Sequence, residues 1–137
     1  MSVERVLSGQ GLYDLYVALE DIAGRSPALP DGRVGIEAGE RGDPGAAATL
    51  DRFCGILGSV AGDSAPSRGA RGGVYVSGGI APRMIERIMS GGFRARFEDK
   101  GRLSDYVAEI PTFLITHPYA ALVGCARALA QLAGVQL

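Results

Sequence analysis

Only two stretches of this 137-residue sequence have the β-branched and aromatic density of a strand. One is Val74-Tyr75-Val76, bounded by Gly72-Gly73 and Gly78-Gly79; the other is "PTFLITHP" (111–118), bracketed by prolines. Each is followed by a helical pattern, and strands alternating with helices imply parallel pairing within an α/β layer. Two parallel strands make a poor sheet by themselves. The expected fold is therefore α/β and helix-rich, with two main strands that belong to a larger sheet.

Helical spacing fills much of the remainder. Leu12, Leu15, Tyr16, Leu19 and Ile22 mark a helix over 11–23 that Gly24 ends. Before it, "SVERVLSG" reads as a short helix with Ser2 as N-cap, and the two meet at "SGQG". Residues 24–45 hold nine Gly or Pro with no sustained period, the pattern of a surface loop. Asp43 as N-cap and Pro44 as first helical residue then open a helix with Leu50, Phe53, Cys54, Leu57 and Val60 on one face, ending near Gly62. Pro82 begins another, whose apolar stripe is Met84, Ile85, Ile88 and Met89. The run "FRARFEDKGR" (93–102) alternates in sign and is expected to be solvated. Leu103, Tyr106, Val107 and Ile110 suggest a short helix, and the last helix, 119–133, is expected to bury Leu122, Val123, Ala126, Leu129 and Leu132.

Charge and cysteine usage exclude several classes of function. Fourteen basic against fifteen acidic side chains leave a net charge of −1, which gives no electrostatic footprint for nucleic acid. Cys54 and Cys125 lie far apart in apolar helical patterns, where a thiol packs as a small hydrophobe in a reducing compartment. The most apolar stretch, "AALVGCARALAQLAG", is interrupted by Arg127 and Gln131, so no membrane span and a cytoplasmic setting are expected. His117 is the single histidine, which rules out a His cluster for metal and a Ser-His-Asp set with support of its own. Asp14, Asp21, Asp99 and Asp105 fall on helix faces or charged loops, where carboxylates are solvated. Neither "SGQG" nor "SGG" satisfies a phosphate-loop or dinucleotide fingerprint.

What remains is a strand that runs into paired glycines and then a helix start, a way of bringing backbone close to a nucleotide. Here the order of several motifs carries more than any one of them. "ERVLSGQGLYDLY" (4–16), "RGGVYVSGGIAPR" (71–83), "SGGFRARFEDKGR" (90–102), "IPTFLITH" (110–117) and "ALVGCARAL" (121–129) resemble, in that order, the C-terminal part of bacterial glucokinases of the sugar kinase, actin and Hsp70 superfamily.

The resemblance covers nearly all of residues 1–137, and it implies part of the ribonuclease H-like large domain of a sugar kinase. It implies ATP-dependent phosphorylation of glucose to glucose 6-phosphate, with Mg²⁺, in the full-length enzyme. Glu4 would accept hydrogen bonds from glucose hydroxyls, for which a carboxylate offers two acceptor oxygens. Gly78 and Gly79 would form the adenosine motif, Ser8 and Gly9 would approach the nucleotide from the other side, and Gly124 would lie near the same pocket. The phosphate loop, the catalytic aspartate and the His-bearing sugar motif would all lie upstream of Met1. This chain would then hold no catalytic residue and no metal ligand, and would be inactive alone. Its partners would be glucose and ATP, with either the missing N-terminal lobe or a second copy covering its open edge. The alternative is a non-catalytic, self-associating interaction protein derived from a kinase half. Departures from the family pattern are Ser64 and Pro66, expected to shorten the middle helix, Cys125 in place of a smaller residue, and a short "THPYAAL" rim.

Overall fold

The structure is a computed structural model and describes residues 2–134, with side chains at 32–34 excepted. In chain order the elements are α1 (Gly9–Ile22), α2 (Gly32–Glu40), α3 (Pro44–Ser67), β1 (Val74–Val76), α4 (Ile85–Met89), α5 (Gly92–Glu98), α6 (Ser104–Ala108), β2 (Thr112–Leu114) and α7 (Ala120–Ala133). Short 3-10 turns at Val3–Arg5, Ala81–Met84 and Gly101–Leu103 precede α1, α4 and α6. No helix among the described residues is long and apolar enough to cross a membrane.

Helix α3 is the spine, and its start follows from local chemistry. The Asp43 carboxylate accepts the Ala46 N–H at 2.8 Å, and Pro44 stands where its missing N–H costs nothing. The N-terminal half of α3 presents Leu50, Phe53 and Cys54 to a cluster completed by Leu12, Ile36 and Met84. Its C-terminal half presents Ala61 and Ala65 to a second cluster with Phe93, Phe97, Val107 and Ile110. Close contact with α5 requires small residues on α3: a Cβ at Gly58 would overlap the carbonyl of Phe93, and one at Gly62 the carbonyl of Phe97.

Strands β1 and β2 pair in parallel, with Val74 opposite Thr112, Tyr75 opposite Phe113 and Val76 opposite Leu114. Val74 and Val76 pack on the second cluster. On the other face Tyr75 and Phe113 stack at 4.9 Å between ring centres, 63% and 44% exposed. The path into β2 is fixed from α5, where Arg94 donates to the carbonyls of Ala108 (2.7 Å) and Ile110 (2.8 Å).

Several sequence-based expectations are corrected. Residues 24–45 are not all loop: α2 forms within them because Ile36 is buried in the first cluster and Gly39 lets α2 approach Leu50 and Ala46 of α3. Helix α3 runs past Gly62 to Ser67, since Gly62 is a packing contact and not a terminator. Pro66 falls in its last turn, and Ser64 bonds back to the Val60 carbonyl at 2.8 Å, so neither shortens it. The charged run 93–102 is α5 with Phe93 and Phe97 buried, because two aromatics four residues apart share one helical face. Ser2 caps nothing; Ser8 caps α1, accepting from the Gly11 N–H at 3.0 Å. Met89 is exposed, because α4 turns only Ile88 and the preceding Met84 inward. Helix α7 buries none of its residues: Leu122, Val123, Leu129 and Leu132 are exposed, and so is Cys125.

Two predictions arise from this packing. Alanine ordinarily favours a helix over glycine, yet Gly58→Ala is expected to lower stability by about 1–3 kcal/mol because backbone must move to admit the methyl group; a raised urea midpoint would contradict it. The second concerns Glu20, buried at 6% exposure, whose carboxylate takes both Nε (2.9 Å) and Nη2 (2.6 Å) of Arg25. Hydrogen bonding to Arg25 holds the Glu20 carboxyl below its ordinary range, against the opposing effect of burial. Its stabilising contribution is present above the unfolded carboxylate range of about 4.3 and is lost as pH falls through the lower folded value. Melting curves of Glu20→Gln from pH 6 to 2 are thus expected to fall less steeply on the acid side than those of the parent.

Candidate functional site

From Val76 the chain leaves β1 into Ser77-Gly78-Gly79, all exposed, and re-enters the core at Ile80 before the 3-10 turn Ala81–Met84. Gly78 has φ +134°, a conformation that L side chains rarely adopt, so the backbone itself selects glycine there. Gly79 is different. It has no positive φ, and a Cβ built on it would meet no atom within 4 Å. Neither the backbone nor the packing of this chain requires glycine at 79. The same holds for Gly9 at the start of α1, in contrast to Gly11, where a Cβ would overlap the carbonyls of Arg5 and Val6.

The two glycine segments converge on one core. Leu7, between Glu4 and Ser8, and Ile80, directly after Gly79, both pack against the cluster of Leu12, Ile36, Leu50, Phe53, Cys54 and Met84. Glu4 is exposed on the 3-10 turn Val3–Arg5, and its carboxylate has no hydrogen-bond or ion-pair partner among the described residues. The Ser8 oxygen is engaged as the cap of α1, which leaves its hydroxyl hydrogen to donate elsewhere. Gly124 is not brought to this core by packing: it sits on the exposed helix α7, whose residues enter neither cluster.

Titratable groups elsewhere are occupied or solvated. Burial pushes the Cys54 thiol up to about 11, which Arg87 only partly offsets, so it is a packed side chain and no nucleophile. His117 is exposed, and its Nδ1 accepts the Tyr119 N–H at 3.1 Å in a local turn. Asp14 accepts from Gln10 at 2.8 Å and Asp99 from Arg96 at 3.1 Å. Among the described residues no three His, Cys, Asp or Glu side chains gather as metal ligands. The glycine segments line none of the concavities found among the described residues. One of about 290 Å³ opens between α4, α5 and the strands, beside Met89 and Phe113. Another of about 440 Å³ opens beside Ile36, Glu40 and Arg83.

Sequence reasoning missed Arg87, whose guanidinium reaches Glu40, Asp51 and the carbonyls of Gly39 and Ala47. All four partners precede it by 36 or more residues, so no local pattern could have marked it.

A family model described as Glucokinase matches residues 1–132. A glucokinase of a Caulobacter species is 50% identical over 128 residues, covering 93% of this chain, and a glucokinase of Aromatoleum aromaticum is 47% identical over 130. A crystal structure of a glucokinase from an Antarctic psychrotroph superposes with a TM-score of 0.86 at 37% identity, covering 96% of this chain and 41% of that one. The chain spans 39% of the length of these curated relatives.

Proposed function

The chain belongs to the glucokinase family, corresponding to its C-terminal part, and on that footing we propose that it supplies the adenosine side of an ATP cleft and one sugar contact to an enzyme that phosphorylates glucose to glucose 6-phosphate. The observation that carries this reading is Gly79, a glycine that this chain's own fold does not need, beside Gly78 in a loop that projects from the core. A residue without a side chain at an open, anchored loop is what close approach of a flat ligand requires. Gly9 and the Ser8 hydroxyl would line the second side, since their segment is anchored to the same cluster through Leu7. Glu4, free to accept, would take the sugar hydroxyls. Gly124 joins the pocket only if α7 folds back in the complete enzyme.

In that enzyme the γ-phosphoryl group passes in line to the sugar hydroxyl, and catalysis lies in positioning and charge stabilisation. The residues described here bind and orient; none is assigned as the base that takes the hydroxyl proton. The Mg²⁺ that accompanies ATP is assigned no ligand from this segment, in which no ligand cluster forms among the described residues. The two strands would join a larger ribonuclease H-like sheet. The remainder of a cytoplasmic glucokinase would cover the Tyr75 and Phe113 face and the apolar side of α7, which are exposed here.

Titration of the labelled chain with ATP is expected to move the amide resonances of residues 8–9 and 77–80, weakly and without turnover of glucose. Shifts confined to other surfaces, or clear phosphorylation by this chain alone, would contradict the proposal. In the full-length enzyme, Glu4→Gln is expected to lower kcat/KM for glucose by about 10- to 100-fold, the loss of a charged hydrogen bond. An unchanged value would remove Glu4 from the sugar site.

A further inference from the structure

Gly78 and Gly79 are exposed, and a Cβ built on either would meet no atom within 4 Å, so the loop takes its place from its flanks. Upstream the flank is β1, held by its pairing with β2. Downstream it is Ile80, the fully buried Met84 and the five-residue helix α4. Within α4 only Ile88 packs on the clusters, since Ile85 is 39% and Met89 77% exposed. What fixes it against rotation and sliding is Arg87. Its Nε donates to Glu40 Oε1 (3.1 Å) and its Nη2 to the Gly39 carbonyl (3.2 Å), both on α2. Its Nη1 donates to Asp51 Oδ1 (2.6 Å) and to the Ala47 carbonyl (3.5 Å), both on α3. The side chain is only 19% exposed, so the guanidinium is largely withdrawn from solvent, although Asp51 at its far end is 64% exposed. A planar fork with five donors can serve two helices at once, which a lysine ammonium cannot do in this geometry.

We infer that Arg87 is a positioning residue for the nucleotide: by clamping α4 to α2 and α3 it sets where the Gly78-Gly79 loop stands, eight residues upstream and without touching the ligand. The inference rests on the nucleotide reading of that loop. A loop whose downstream anchor slips still folds, but it presents its backbone to adenosine less often, and binding weakens in proportion.

The test is steady-state kinetics of the full-length enzyme carrying Arg87→Met, Arg87→Lys or Gly79→Val, with hydrogen exchange of the loop measured alongside. Gly79→Val is expected to raise the KM for ATP; if it does not, the nucleotide reading of the loop fails, and the inference with it. With that control positive, Arg87→Met is expected to raise the KM for ATP about fivefold while kcat and the KM for glucose change less than about twofold. Arg87→Lys should recover part of the loss, and exchange should quicken over residues 79–84. Equal losses in kcat and in both KM values, or an unchanged KM for ATP, would overturn the inference. Should Arg87→Met fail to fold, Glu40→Ala and Asp51→Ala each remove one bond and must show the same selective rise in the KM for ATP.

Discussion

The structure depends on the contact of two helix backbones. Gly58 and Gly62 of α3 face the carbonyls of Phe93 and Phe97 with no room for a Cβ, and this closeness lets both phenylalanines enter the core beside Ala61 and Ala65. Much else follows from where α5 is thereby placed. Arg94, on the next positions of that helix, holds the carbonyls that lead into β2, and β2 in turn pairs with β1. Lys100, just beyond α5, returns to α3 by donating to the Ser59 carbonyl at 3.0 Å and pairing with Asp63 at 2.8 Å. A spacing of four between small residues on one helix thus fixes the position of a strand far along the chain.

The diglycine loop divides the work between rigid flanks and an open tip. Its flanks end in two different clusters, Val76 in one and Ile80 in the other, both built on α3. The tip is exposed, with open space where a Cβ of Gly78 or Gly79 would stand. The exposed Tyr75, Phe113 and α7 stand on surfaces of another kind, apolar and continuous with the strands and with the chain that follows β2. The chain belongs to the glucokinase family and covers 39% of its relatives' length, and in the proposed enzyme the remaining length would cover those surfaces.

Short-range chemistry was legible in the sequence. Asp43 and Pro44 announce the start of α3, the Val74–Val76 strand lies where its flanking glycines put it, and the order of five motifs points to the family that the comparisons show. Long-range packing was not legible. Gly62 reads as a helix terminator unless the carbonyl of Phe97 is known to lie against it, and "FRARFEDKGR" reads as solvated unless its two phenylalanines are seen to share a face. Residues 32–40 look like loop because their glycines lower helix propensity, while burial of Ile36 supplies the compensation from outside the segment. The same reason hides Arg87, whose meaning resides in partners on two other helices. Helix α7 fails in the opposite sense: its apolar pattern is plain, yet nothing within the described residues accepts it.

Reconstitution tests the central claim most directly. The N-terminal three fifths of a Caulobacter glucokinase, co-expressed with this chain, should yield a complex that phosphorylates glucose with ATP, whereas neither piece should do so alone. A stable complex with no ATP-dependent phosphorylation of glucose, or phosphorylation that persists when this chain is left out, would contradict the assignment of the adenosine loop and the sugar contact to these residues.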